Sequence, residues 1–211
     1  MKLDKLAEEV LHDLVPCLPE GYVLTGSVAY TLLVPALADK VIKDVDVVVY
    51  PLKDSNDLVD RQITDKFYII RLFVTKRGFQ FSLIHKKIGC WVDIFPRKRT
   101  PRFVEVNTDH NQKMKLHKIE EIVYGLCVST LEKTYEKKSV KKDSIDKLKR
   151  LAPFIDLTLF DQLVSENIDQ TTHMTSAFDS SINTREIIQY IINNCRPFTP
   201  LGYKLENYPI D

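Results

Sequence analysis

The sequence predicts an α+β fold: a mixed strand-and-helix unit over residues 1–100, followed by a helical unit over residues 101–211. Three observations predict it. The first half is rich in short β-branched runs, above all Asp44-Val45-Asp46-Val47-Val48-Val49-Tyr50, and branched side chains pack well on a pleated surface. Residues 79–85 and 90–95 are two more apolar runs flanking Lys86-Lys87-Ile88-Gly89, the pattern of a β-hairpin. After Pro96 the strand signal fades, and Ile119, Ile122, Val123, Leu126 and Cys127 recur at helical spacing. Strands first and helices afterwards is the order of an α+β chain.

Each element has its own reason. Leu3, Leu6, Ala7, Val10, Leu11 and Leu14 mark one face of an amphipathic helix, closed by Pro16 and Pro19. Tyr22-Val23-Leu24-Thr25 reads as a strand, Gly26-Ser27 as a tight turn, and residues 28–34 as a helix that Pro35 ends, since proline lacks the amide donor. The valine-rich strand comes next, closed by Pro51. Residues 57–65 read as a helix capped by Ser55 or Asn56, and residues 67–74 as a strand from their aromatic and β-branched content. In the second half, helices are expected from Leu116 toward Lys138, over residues 144–151 and over residues 184–194; the polar stretch 170–181 reads as a loop.

Composition narrows the function classes. Across 211 residues, 30 Lys and Arg against 29 Asp and Glu leave a net charge of +1, so the chain has no broad field to attract nucleic acid or acidic membrane. With 44% hydrophobic and 28% charged residues it falls among ordinary globular proteins, outside the collagen-like and disordered classes. Charges interrupt residues 1–10 every two or three positions, unlike a secretory signal, and no uncharged apolar run reaches the roughly 18–20 residues that span a bilayer. The expectation is a cytoplasmic protein that does not engage membranes. Cys17, Cys90, Cys127 and Cys195 lie far apart with no CxxC pair, which reads as reduced thiols rather than a zinc site.

The candidate chemistry lies in Gly26, Ser27, Asp44, Asp46 and Asp93. Strand side chains alternate faces, so Asp44 and Asp46 project to the same side while Val45 and Val47 take the other. Two like charges on one face call for a cation, and an all-oxygen donor set suits Mg²⁺ or Mn²⁺. A Gly-Ser turn opening a helix offers backbone amides, a hydroxyl and the positive end of a helix dipole, all suited to phosphate. Asp93 lies in the apolar run Val92-Asp93-Ile94, where an uncompensated charge is costly; a neighbouring strand would bring it to the same metal ions.

The series Leu24-Thr25-Gly26-Ser27, Lys43-Asp44-Val45-Asp46-Val47-Val48-Val49 and Trp91-Val92-Asp93-Ile94-Phe95-Pro96 resembles the polymerase-β-like nucleotidyltransferase superfamily. Within it the chain is most similar to minimal nucleotidyltransferases, including abortive-infection toxins and aminoglycoside-modifying relatives. The resemblance covers roughly residues 22–96. It differs in the length of segment 28–43 and in carrying Lys40 and Lys43 where an arginine often precedes the acidic pair. It implies a nucleotidyltransferase mixed sheet flanked by helices as catalytic domain (1–100), and a helical C-terminal domain (101–211). It further implies transfer of a nucleoside monophosphate from a nucleoside triphosphate (NTP, ATP among them) to tRNA, protein or a small-molecule hydroxyl, with release of pyrophosphate. Asp44, Asp46 and Asp93 would be catalytic and metal-binding, and Gly26, Ser27 and Lys43 would bind the nucleotide. The alternative is a nucleotide-binding or protein-interaction module of the same fold without turnover.

The remaining polar residues carry weaker signals. Arg97, Lys98, Arg99 and Arg102 offer charge to a triphosphate or an RNA but read first as a solvated loop. The lysines of 133–150 are interleaved with acids, as on a solvated helix face. His12, His85, His110, His117 and His173 lack metal-binding spacing. Trp91 reads as core packing beside Asp93 or as a ring able to stack on a base.

Overall fold

A helix that buries one stripe, laid on a sheet that buries one face, organises the first part of the chain. The structure is a computed structural model and describes residues 5–37, 42–50, 62–75, 78–97, 100–107, 112–135, 140–167 and 197–198. Two compact units divide it, Met1–Ile122 and Val123–Asp211.

The first unit holds α1 (Lys5–Leu14), β1 (Tyr22–Thr25), α2 (Gly26–Leu33), β2 (Asp44–Val49), the single turn α3 (Ile63–Lys66), β3 (Phe67–Thr75), β4 (Gly78–His85), β5 (Trp91–Pro96), β6 (Phe103–Asn107) and β7 (Lys113–His117). The strands form one seven-stranded mixed sheet in the order β3-β4-β5-β2-β1-β7-β6. At its centre β2 runs antiparallel to β1 and parallel to β5. Directly paired residues share a face. Leu24, Val47, Ile94 and Phe81 therefore line up across four strands, and Val45, Val92 and Leu83 form a second row beside them. All seven are buried, and each such side chain contributes about 1.5–3 kcal/mol when taken out of water. The alternation of acid and valine in β2 thus commits the valines to the core and the acids to the opposite face.

His85 shares the valine face through its spacing from Leu83 and Phe81, and it fastens α1 there. Its Nε2 lies 3.1 Å from Asp13 Oδ2, while the Ile88 backbone N–H donates to its Nδ1 at 3.2 Å. That second bond makes Nδ1 an acceptor, so the proton of the neutral ring sits on Nε2 and is donated to Asp13. Lys66 and His12 also approach the Asp13 carboxylate, at 3.7 and 3.5 Å. Burial raises the Asp13 carboxyl, but the bonds from His85 and His12 and the charge of Lys66 together outweigh it and hold Asp13 below its ordinary value. Ala7, Val10, Leu11 and Leu14, four of the residues picked out by helical spacing, form the buried stripe of α1.

The structure differs from the sequence reading in the middle of the chain. The expected boundary was residue 100; instead β6 and β7 follow it and join the same sheet, β7 through Leu24–Leu116 beside β1. Phe-Val-Glu-Val-Asn and Lys-Met-Lys-Leu-His are only five residues each, and the polar–apolar alternation they carry is short beside the helical pattern that follows.

The second unit contains most of α4 (Ile119–Tyr135), with α5 (Lys142–Leu151), α6 (Leu157–Asn167) and a parallel pair, β8 (Val140–Lys141) with β9 (Pro197–Phe198). Ile145, Leu148, Leu151, Phe160 and Leu163 are buried, and Tyr124 meets Phe160 edge-on at 6.4 Å between centroids. Asp156 Oδ1 accepts the N–H groups of Thr158 and Leu159 at the start of α6, an N-cap of ordinary kind. The sequence reading anticipated α4 and α5 and missed α6. The helix expected over 184–194, the loop over 170–181 and most of the helix over 57–65 lie outside the described residues. Among the described residues Cys17, Cys90 and Cys127 form no disulfide, and Cys17 and Cys127 are buried; Cys195 lies outside the described residues. Among the described residues no helix is long and apolar enough to cross a membrane.

Candidate functional site

The face opposite the valines carries a polar row. Thr25 pairs with Asp46, Asp46 with Asp93, Asp93 with Ser82, and Ser82 with Arg71. One row of side chains therefore crosses β1, β2, β5, β4 and β3 on a single face. Neighbouring strands lie about 4.8 Å apart, so Asp46 and Asp93 stand side by side. Like charges placed directly opposite are unfavourable, and the site tolerates them by leaving both half-exposed and by hydrogen bonding. The Ser82 hydroxyl, itself buried, donates to Asp93 Oδ1 at 2.5 Å.

The β1–α2 turn closes on Asp46. Gly26 has φ +61, and a Cβ on it would collide with the Asp46 Oδ2 oxygen. Glycine is required there twice over, for the left-handed backbone and for the close approach. The Thr25 side chain makes no capping bond to the first turn of α2, whose amides lie at the positive end of the helix dipole. Thr25 is instead tied to β7: its Oγ1 lies 2.8 Å from Nδ1 of the buried His117.

The remaining residues singled out from the sequence take distinct positions. Asp44 is exposed at the start of β2, on the same face as Asp46 but paired with Trp91 rather than Asp93. The Ser27 hydroxyl donates to the Asp44 backbone carbonyl at 3.4 Å, linking the start of α2 to the start of β2. Lys43 is exposed immediately before Asp44. Trp91 is half-buried and shares the face of the acids. Arg97 is half-buried, with its N–H bonded to the Val49 carbonyl, and the Arg102 N–H bonds Glu121. Lys98 and Arg99 lie outside the described residues, as do the side chains of 133–142.

The register thus brings Asp46, Asp93, Gly26 and Ser82 together and sets Asp44 and Lys43 at the edge. Among the described residues, no group of three or more His, Cys, Asp or Glu side chains is gathered closely enough to hold a metal ion. The chemistry of the donor set fits a hard divalent cation, since it consists of carboxylate oxygens alone; the oxygens are not drawn together in advance. The sequence does not single out Ser82 and Arg71 as members of the row, nor His117 as the partner of Thr25. The one signal for Ser82 is its place as the small polar residue within Phe79-Gln80-Phe81-Ser82-Leu83-Ile84.

No protein-family model matches the chain, and no curated protein sequence matches it. Solved structures do show likeness. JHP933 from Helicobacter pylori is 17% identical with a TM-score of 0.46, over 91% of this chain and 91% of that one. A Helicobacter pylori structure provisionally named a nucleotidyltransferase is 16% identical with a TM-score of 0.44, over 88% and 90%. An antigenic nucleotidyltransferase-like protein from Paracoccidioides brasiliensis is 14% identical with a TM-score of 0.44, over 87% and 94%.

Proposed function

We propose that the chain is a metal-dependent nucleotidyltransferase, moving a nucleoside monophosphate from an NTP to an acceptor hydroxyl. The observation that carries this reading is the side-by-side pairing of Asp46 and Asp93 on an open sheet face, with the Gly26 backbone pressed against Asp46. In the reaction the acceptor oxygen bonds to the α-phosphorus, the bond from that phosphorus to the bridging oxygen breaks, and pyrophosphate leaves. Asp44, Asp46 and Asp93 are the residues that would hold Mg²⁺ or Mn²⁺. When bound, the metal neutralises triphosphate charge and makes the acceptor hydroxyl more acidic.

The chain's own residues do the rest. Ser82 holds one oxygen of Asp93, so the other faces the acceptor and takes its proton. The first-turn amides of α2 hold the β- and γ-phosphates at the positive end of the helix, and Lys43 adds charge at the rim. Transfer of this kind rests on positioning and charge stabilisation more than on covalent chemistry.

A second reading is a nucleotide-binding or protein-interaction module without turnover. It is favoured by the absence, among the described residues, of a metal-holding cluster drawn together in advance. Incubating the protein with each α-labelled NTP, Mg²⁺ or Mn²⁺ and a cell extract separates the two. Label entering RNA, protein or a small molecule with wild type and not with Asp46→Asn supports the transferase and identifies its acceptor class. Nucleotide binding without labelled product supports the module.

A further inference from the structure

β3 is an outer strand of the sheet, and β4 is its neighbour. Its register places Tyr68 beside Ile84, Arg71 beside Ser82 and Phe73 beside Gln80, with a shift between Ile69 and Arg71. Ile84, Ser82 and Gln80 alternate along β4, so they share a face. Tyr68, Arg71 and Phe73 consequently stand on the face of Asp93 and Asp46, two strands from Asp93, a distance of about 10 Å at ordinary strand spacing.

β3 is exposed on both faces, Leu72 beside Phe81 being 50% exposed, and the acid-bearing face differs in carrying charge. Tyr68 is 56% exposed and Phe73 47%, and Arg71 is exposed too. Lys86 lies 5.1 Å from the centroid of the Tyr68 ring. Two aromatic rings and two cations are therefore spread over about 13 Å of one face of β3, two strands from Asp93.

Exposed apolar side chains on an edge strand are in general a surface for another protein. Two features favour a different occupant. Burying Arg71 under an apolar protein surface leaves its charge desolvated and unpaired, which is costly. A strand of bases and phosphates answers both halves of the surface: rings stack on bases whatever their identity, and cations meet the backbone. The near-neutral chain permits this because only a local patch is required.

We propose that the open face of β3 binds single-stranded nucleic acid, with Tyr68 and Phe73 stacking on bases and Arg71 and Lys86 meeting phosphates. The terminal hydroxyl of that strand then points along the polar row toward Asp93 and Asp46. Delivery to the acids rests on the transferase reading; binding at β3 does not.

The test is fluorescence anisotropy of a short, labelled, mixed-sequence single-stranded RNA on the full chain with Mg²⁺. Tyr68→Ala and Phe73→Ala are each expected to raise Kd roughly tenfold, and Arg71→Glu to weaken binding and flatten its salt dependence. Leu72→Ser, on the opposite face beside Phe81, is expected to leave Kd unchanged. Circular dichroism of each variant shows that it is folded. Equal affinity in wild type and the three face variants, or no RNA binding by wild type, overturns the proposal. So does a β3 surface whose variants change only the sedimentation behaviour, the signature of a protein interface. RNA binding through β3 with no labelled product from any NTP leaves this proposal standing and removes the transferase reading; labelled product insensitive to the β3 variants does the reverse.

Discussion

Gly26→Ala perturbs the site at a single methyl group, and Gly89→Ala supplies its control. Both glycines have positive φ, +61 and +74. An alanine in either place costs about 1–2 kcal/mol from the left-handed backbone. The surroundings separate them: a Cβ at Gly89 meets nothing within 4 Å, whereas at Gly26 it collides with Asp46 Oδ2 and reaches Asp46 Cγ at 3.2 Å. Driving the Asp46 side chain off its rotamer adds about 0.5–1.5 kcal/mol, for a total of about 1.5–3.5 kcal/mol. Urea unfolding is expected to show the larger loss for Gly26→Ala, and a chain of this size loses about 2–4 °C in Tm per kcal/mol. Activity separates the pair further, because displacing a catalytic group by about 1 Å costs on the order of a hundredfold. Label transfer should collapse in Gly26→Ala and persist in Gly89→Ala. In an Asp46→Ala background most of the extra cost at position 26 should be lost, only the Cβ contact at 3.3 Å remaining, a coupling of about 1 kcal/mol. Equal stability losses at positions 26 and 89, or full transfer by Gly26→Ala, would refute the reasoning.

Two further outcomes follow from the polar and buried pairs. Ser82→Ala removes the bond to Asp93 Oδ1; a hydrogen bond to a charged group contributes about 1.5–3 kcal/mol, so the unfolding free energy from urea titration should fall by about that amount, and a larger drop in transfer is expected because Asp93 loses its orientation. Asp13 is held below its ordinary value, so its contribution to stability is fully present above its unfolded value of about 3.9 and is lost as pH falls through its lower folded value. The stability gap between wild type and Asp13→Asn should therefore narrow as pH falls from about 5 to below about 4. A gap that does not change across that range contradicts the Asp13–His85 assignment.

What the sequence reveals and what it hides follow from the range of the interactions involved. β1, β2 and β5 are legible because alternation is local: Asp44, Asp46 and their intervening valine declare their faces without knowledge of neighbours. The Gly26-Ser27 turn is legible as a turn. Its pressure on Asp46 is not, because it depends on Thr25 pairing with Asp46 across two strands. The place of Arg71 in the row depends on a register shift between Ile69 and Arg71 in β3, which no periodicity announces. β6 and β7 escape notice because each is only five residues long, so an alternation this short is fixed as strand by pairing within the sheet. The Asp13–His85 bond joins residues far apart in sequence, so His85 reads as an ordinary histidine until α1 is laid on the sheet.

The central claim, that the Asp46–Asp93 pair supports transfer of a nucleoside monophosphate, is tested most directly by following two labels of one NTP. With α-labelled and γ-labelled nucleotide in parallel, wild type is expected to place only the α-label in the acceptor and to release the γ-label as pyrophosphate. Asp46→Asn, shown to be folded by circular dichroism, is expected to lower both by on the order of a hundredfold or more. Entry of the γ-label into the acceptor, or undiminished transfer by Asp46→Asn, would contradict the account.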